Sequence, residues 1–178
     1  MNRQEFDHAL RAAASVLDES ELMVIGSQAI HGSIRGPLPA EAERSIEVDV
    51  VAFNDPDSAK ADLIDGAIGE ASMFHETFGF YAEGVSETTA TLPDGWRDRL
   101  VRYESPMVPA VVVWCLEPHD LWLSKAVAHR PKDIEYCRAL ARDGLVDVGV
   151  LEERAENLPD LDASVRESVT ALIESAAQ

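Results

Sequence analysis

Two acids one residue apart, Glu47 and Asp49, stand inside a β-branched run that reads Ser45-Ile46-Glu47-Val48-Asp49-Val50-Val51-Ala52-Phe53. A strand has period two, so Glu47 and Asp49 should project from one face while Ile46, Val48 and Val50 fill the other. Side-by-side carboxylates repel, and burying them unpaired is costly. A divalent cation bridging phosphate oxygens removes that cost, and Mg2+ is commonly held by one or two carboxylates together with substrate phosphates. Upstream, the apolar run Leu22-Met23-Val24-Ile25 passes through Gly26-Ser27 into Gln28-Ala29-Ile30. A Gly-Ser step between a strand and a helix lets the backbone approach a phosphate, with amides aimed from the helix N-terminus. Tight strand-to-helix turns also use small residues for steric reasons alone, so the dipeptide draws its meaning from the acids that follow it.

A second group of chemistry-bearing residues lies between Lys125 and Arg138, the most basic stretch of an acidic chain. Lys125, His129, Lys132 or Asp133, and Tyr136 are spaced to fall on one side of two nearly continuous helices. Lys125 sits beside Trp122 and Ala126 and thus near an apolar face, with Arg130 and Arg138 close in sequence. One reading makes Lys125 a cation for a triphosphate and Asp133 an added acid or the partner that orients a base. The other is a helix surface with ordinary ion pairs.

The elements that must position these groups follow from the pattern. Phe6, Leu10, Ala13 and Leu17 recur at helical spacing over residues 3–17. After the acidic strand, Asn54-Asp55-Pro56-Asp57-Ser58 is a turn and helix cap, and Ala59 to Ile68 reads as a helix with Ala61, Ile64, Ala67 and Ile68 on one face. Ser72 to Ser86 has no clear period and reads as loop with short irregular elements; His75 there is a structural hydrogen-bonder. Arg99 to Tyr103 alternates like a strand, and Ala110 to Leu116 is a continuous apolar run suited to a buried one. From Glu117 onward the pattern is helical, with Pro118 at a first helical position, an interruption at Pro131, and helices over 132–142, 148–156 and 161–176. The expectation is an α/β fold, a mixed sheet with flanking helices over residues 1–116, followed by a helical part over 117–178 packed on it as one unit.

The bulk numbers bound the function. With 178 residues, 46% hydrophobic and 27% charged, the chain is long enough for a sizeable core. A net charge of −18 argues against a surface that grips nucleic acid all over, and favours a basic partner. No apolar stretch approaches the roughly 18–20 residues that span a bilayer, and no apolar signal core opens the chain. Cys115 and Cys137 lack metal-ligand spacing and read as reduced core residues, so the cytoplasm is the simplest address.

Together these residues resemble the DNA polymerase β-like nucleotidyltransferases: strand, Gly26-Ser27, helix, then the acid-x-Asp strand Glu47-Val48-Asp49. More closely, Gly26-Ser27-Gln28-Ala29, Glu47-Val48-Asp49-Val50-Val51 and Leu116-Glu117-Pro118-His119-Asp120-Leu121, with Lys125, Arg130 and Lys132-Asp133, look like the small bacterial nucleotidyltransferases of the AbiEii and MenT toxin group and their uncharacterised relatives. The resemblance covers about residues 20–145 and implies an Mg2+-dependent enzyme that moves a nucleoside monophosphate from a nucleoside triphosphate to an acceptor. It implies that Glu47 and Asp49 hold the metal, Gly26, Ser27 and Arg130 bind the nucleotide, and Lys125 and Asp133 complete the catalytic set. In the toxin branch the acceptor is a tRNA 3′ end, and a DNA-binding antitoxin is the partner protein. A non-catalytic nucleotide- or protein-binding member and a nucleotidyltransferase acting on a small aminoalcohol are the alternatives. The chain departs from the pattern in three places. Glu47 stands where Asp is common, the loop from Ser33 to Ser45 is long, and the strand leading to Leu116 offers no third carboxylate, leaving only Glu104 nearby.

Overall fold

The computed structural model describes residues 1–177. Helix α1 (Arg3–Leu17) starts at a capping box, in which Asn2 accepts from the amides of Gln4 and Glu5 while Glu5 returns to the Asn2 amide. Strand β1 (Glu21–Val24) follows, then a short 3-10 segment (Ser27–Gly32), helix α2 (Ala40–Glu43) and strand β2 (Glu47–Ala52). Next come α3 (Ala59–Ile68), α4 (Met73–Phe78), β3 (Tyr81–Gly84), β4 (Val101–Tyr103) and β5 (Val112–Cys115). The chain closes with α5 (Pro118–Ala128), α6 (Pro131–Arg142), α7 (Val148–Ala155) and α8 (Ala163–Ala176). The five strands form one mixed sheet in the order β3-β2-β1-β5-β4; β1 runs antiparallel to β2 and parallel to β5, and β2 runs parallel to β3. This is the mixed α/β architecture with flanking helices and a helical C-terminal part that the sequence pattern implies.

Several expectations need correction. Ser72 to Ser86 is regular structure: α4 is capped by Ser72, whose hydroxyl accepts from the His75 amide, and β3 is an edge strand. His75 is a hydrogen-bonder as read, its Nδ1 accepting from the Ala71 amide at 3.1 Å. The division of the helices near Pro131 is as read, and Pro131 itself opens α6 at the first helical position, where its missing N–H costs nothing. Ile46 lies before β2 and is 47% exposed, so Val48 and Val50 alone fill the inner face. Ala67 is exposed, leaving Ala61, Ile64 and Ile68 as the packed face of α3. The long loop carries α2, and its Ala42 is buried with its carbonyl accepting from the Gln28 side chain at 3.0 Å.

The core runs from Phe6 and Leu10 of α1 through Leu22, Val24, Val48 and Val50 of the sheet to Leu121 and Trp122 of α5. Both cysteines are free and buried, and burial pushes the Cys115 thiol up to about 12. Among the described residues no helix is long and apolar enough to cross a membrane.

A charged network fixes the start of α5, which must present Lys125 to the sheet. Glu117 caps the helix, accepting from the His119 amide at 3.1 Å and from His119 Nδ1 at 2.6 Å, and pairs with Arg154 of α7. Buried Asp120 takes both Arg99, at 2.8 and 3.1 Å, and Arg154, at 3.0 Å. His119 Nε2 accepts from the Asp147 amide at 2.8 Å, which leaves Nδ1 as the donor to Glu117. Burial works against the Glu117 carboxylate, but His119 and Arg154 override it and hold the carboxyl down at about 2. A carboxyl depressed in the fold contributes stability that is full above its unfolded value near 4.5 and is lost as pH falls from there toward 2. Urea denaturation at a series of pH values should therefore show stability dropping below pH about 4.5, by about 2 kcal/mol for this group. Glu117→Gln should be less stable at neutral pH and show a flatter acid limb; an unchanged acid limb would remove Glu117 from the account.

Candidate active site

The antiparallel register of β1 and β2 pairs Val24 with Val50 and carries the Ile25 amide to the Asp49 carbonyl at 3.2 Å. Gly26, the next residue, therefore lies beside the Asp49 side chain. Its backbone, φ −85° and ψ −167°, is open to any residue, so no left-handed turn demands glycine. Space does: a Cβ there would lie 1.4 Å from Asp49 Oδ2 and 2.3 Å from Asp49 Cγ. Gly26 is what allows the Asp49 carboxylate to lean over the end of β1.

Glu47 and Asp49 share one face of β2, as period two requires. The Glu47 carboxylate accepts from the Tyr81 hydroxyl at 3.0 Å through Oε2 and faces Lys132 Nζ at 3.5 Å through Oε1. Burial, then the Glu47 carboxylate, pushes the Tyr81 hydroxyl far above its ordinary range. Among the described residues Asp49 has no such partners. Burial raises its carboxyl above the usual range; Lys125 opposes the rise, and the Glu47 charge adds to it.

A third acid completes the face. In the parallel β2–β3 register Glu47 lies opposite Tyr81 and Asp49 lies opposite Glu83. Residues paired in register point to the same side of a sheet, so Glu83 joins the other two carboxylates. Its carboxyl is raised, first by burial and then by Asp49 and Glu47. Period-based reading missed Glu83 because β3 spans only four residues at a sheet edge. The available signal was the apolar triplet Phe80-Tyr81-Ala82 just ahead of it. Gly84 after it is a close-packing glycine, whose Cβ would meet the Ala61 carbonyl oxygen at 2.3 Å. Glu104, by contrast, follows β4 at the opposite edge of the sheet and is remote from this face.

Facing the acids are the cations of α5 and α6. Asp133, buried to 1% exposure, accepts from Arg130 Nε at 2.6 Å, from Arg130 Nη2 at 3.2 Å and from the Arg130 amide at 3.3 Å. Lys125 Nζ lies 3.6 Å from the same carboxylate. Burial alone would raise the Asp133 carboxyl, but Arg130 and Lys125 reverse that and hold it below the usual range. Asp133 is thus the shared ion-pair partner of Arg130 and Lys125. Lys132 points to Glu47, and the Tyr136 hydroxyl donates to the Ser27 carbonyl at 2.8 Å, joining α6 to the Gly-Ser turn. The two helices are not continuous: His129 ends α5 in the left-handed region (φ 52°) and is exposed, so it leaves the line of Lys125, Asp133 and Tyr136.

These side chains border a cleft of about 340 Å3 containing Gly26, Glu47, Asp49, Glu83, Lys125, Arg130 and Lys132, closed on one side by Thr89 and Thr91. A neighbouring cleft of about 230 Å3 contains Ser27, Glu41, Arg44, Asp133 and Tyr136, and the two have Glu47 and Lys132 in common. The predicted set is thus brought together around that pair, with Gly26, Lys125 and Arg130 in the first cleft and Ser27 and Asp133 in the second. Among the described residues no three His, Cys, Asp or Glu side chains are arranged to hold a metal ion by themselves. Glu47 and Asp49, two carboxylates on one face of β2, could hold Mg2+ and leave its other coordination positions to phosphate oxygens.

A protein-family model described as a nucleotidyltransferase of unknown function (DUF6036) matches residues 4–172 of the chain. No curated protein and no solved structure matches it.

Proposed function

The chain belongs to this nucleotidyltransferase family, and we propose that it moves a nucleoside monophosphate from a nucleoside triphosphate to an acceptor hydroxyl with Mg2+ as its metal. The observation that carries this reading is the opposition, across one cleft, of the carboxylates Glu47, Asp49 and Glu83 and the cations Lys125, Arg130 and Lys132. Glu47 and Asp49 would hold Mg2+, which when bound polarises the phosphoryl oxygens and offsets charge on departing pyrophosphate. Lys125 and Arg130, held in place by Asp133, fix the phosphates on the α5–α6 side. In-line displacement then brings the acceptor from the β3 side, where Glu83 takes the hydroxyl proton. The acceptor oxygen bonds to the α-phosphorus, the bond from the α-phosphorus to the bridging oxygen breaks, and pyrophosphate leaves with that electron pair.

For the acceptor, the resemblance to the AbiEii and MenT toxins favours a tRNA 3′ end and a basic antitoxin as protein partner. A specific observation favours a small cationic alcohol instead. Beyond Val85 the acceptor side continues into a groove of about 590 Å3 bordered by Asn54, Asp55, Ser86 and Glu87, with no Lys or Arg in its lining. Lys60 and Arg97 lie next to that lining, but each is already paired, Lys60 with Glu19 and Arg97 with Glu87. A phosphodiester chain would need cations along its track. The test is incubation with each nucleoside triphosphate labelled at the α-phosphate, with Mg2+, and either total tRNA or a panel of aminoalcohols. Label in RNA selects the toxin reading, label in an aminoalcohol selects the small-molecule reading, and label in neither with every nucleotide leaves the chain a non-catalytic member of its family.

A further inference from the structure

The two clefts meet at a single ion pair, and that pair joins a proposed metal ligand to a mobile-length cation. Glu47 has both carboxylate oxygens engaged, Oε2 by the Tyr81 hydroxyl at 3.0 Å and Oε1 by Lys132 at 3.5 Å. Lys125 and Arg130 are anchored on buried Asp133. Lys132 is different: its side chain is 59% exposed, and among the described residues its only ion-pair partner is Glu47. Its ammonium therefore neutralises the carboxylate that a divalent cation would have to use. A long, exposed lysine held by one weak pair exchanges partners at little cost.

We propose that Lys132 is a positioning residue that makes metal loading depend on nucleotide. Without nucleotide the Lys132 ammonium stands in for the metal charge on Glu47. When phosphates enter beside Lys125 and Arg130, Lys132 transfers to a phosphate oxygen and releases Glu47 Oε1 to the metal. The inference rests on the nucleotidyl-transfer reading and adds an order to it: divalent cation and nucleotide bind with positive coupling, and by linkage each tightens the other by the same factor. The arrangement also keeps Glu47 neutralised between turnovers, which lessens its repulsion of Asp49.

The test is Mn2+ binding to the full chain, followed by electron paramagnetic resonance, with and without an α,β-methylene nucleoside triphosphate that cannot transfer. For the wild type, the analogue should tighten Mn2+ binding by about tenfold or more. Lys132→Met should bind Mn2+ alone about threefold tighter than wild type, and the tightening by the analogue, corrected for its own chelation of Mn2+ measured without protein, should fall by about the same factor. Lys132→Arg, which keeps the charge, should restore the coupling. Unchanged or weaker Mn2+ binding by Lys132→Met in the absence of analogue, or undiminished coupling, overturns the proposal while leaving nucleotidyl transfer standing. Absence of protein-bound Mn2+ in every arm, beyond what the analogue chelates alone, overturns both.

Discussion

Asp49→Asn is expected to lower nucleotide transfer by about a hundredfold or more while raising the melting temperature of the protein. The two effects have one cause. Asp49 is a carboxylate that the fold desolvates and sets beside Glu47, with Lys125 only partly offsetting the burial and, among the described residues, no hydrogen-bond donor. Its carboxyl is raised relative to the unfolded chain, so near neutral pH the charge works against folding, and that penalty is relieved as pH falls through the folded value. Asparagine has the same shape, fits over Gly26 as aspartate does, and removes the charge. A residue retained for packing would lose stability on this change; a metal ligand gains stability and loses activity. Thermal melts and transfer assays on one preparation check both arms, and a drop in melting temperature together with intact transfer would remove Asp49 from the site.

Gly26→Ala should be nearly as damaging by a different route. The new Cβ would occupy the position of the Asp49 carboxylate, 1.4 Å from Oδ2. Asp49 must rotate away or β1 and β2 must separate, and overpacking of this kind costs about 1–3 kcal/mol. Because Gly26 has an unremarkable φ, no backbone strain adds to this, and the whole effect passes through Asp49. A double-mutant cycle makes that visible. Adding Gly26→Ala to an Asp49→Gly chain should cost much less stability than adding it to wild type. Equal costs in the two backgrounds would mean that the glycine serves something other than the carboxylate.

The parts of this site that could be read from sequence are those encoded locally. Glu47 and Asp49 announce a shared face because a strand alternates, and the structure keeps them on one face of β2. Lys125 and Asp133 were legible as a pair because they fall on two consecutive helices close together in the chain, although the left-handed turn that takes His129 off their line was not. What depends on strand pairing was not legible. Glu83 owes its place to a parallel register between β2 and a four-residue edge strand, and nothing within Ser72 to Ser86 encodes that partner. The same holds for Gly26, which reads locally as a phosphate-loop glycine. Its closest demand comes from a residue on the neighbouring strand. The motif around Glu117 to Leu121 went the other way: it carried the resemblance, yet in the fold Glu117 and Asp120 anchor α5 to Arg99 and Arg154 and do not border the cleft.

We propose that this carboxylate face transfers the nucleoside monophosphate part of a nucleoside triphosphate. It is tested most directly by following two labels in parallel, one at the α-phosphate and one at the γ-phosphate, with wild type and Asp49→Asn. With Mg2+ and a competent acceptor, wild type should place the α-label in the acceptor and release the γ-label as pyrophosphate, and Asp49→Asn should do neither. Appearance of the γ-label in the acceptor, or equal α-label transfer by both proteins, would contradict it.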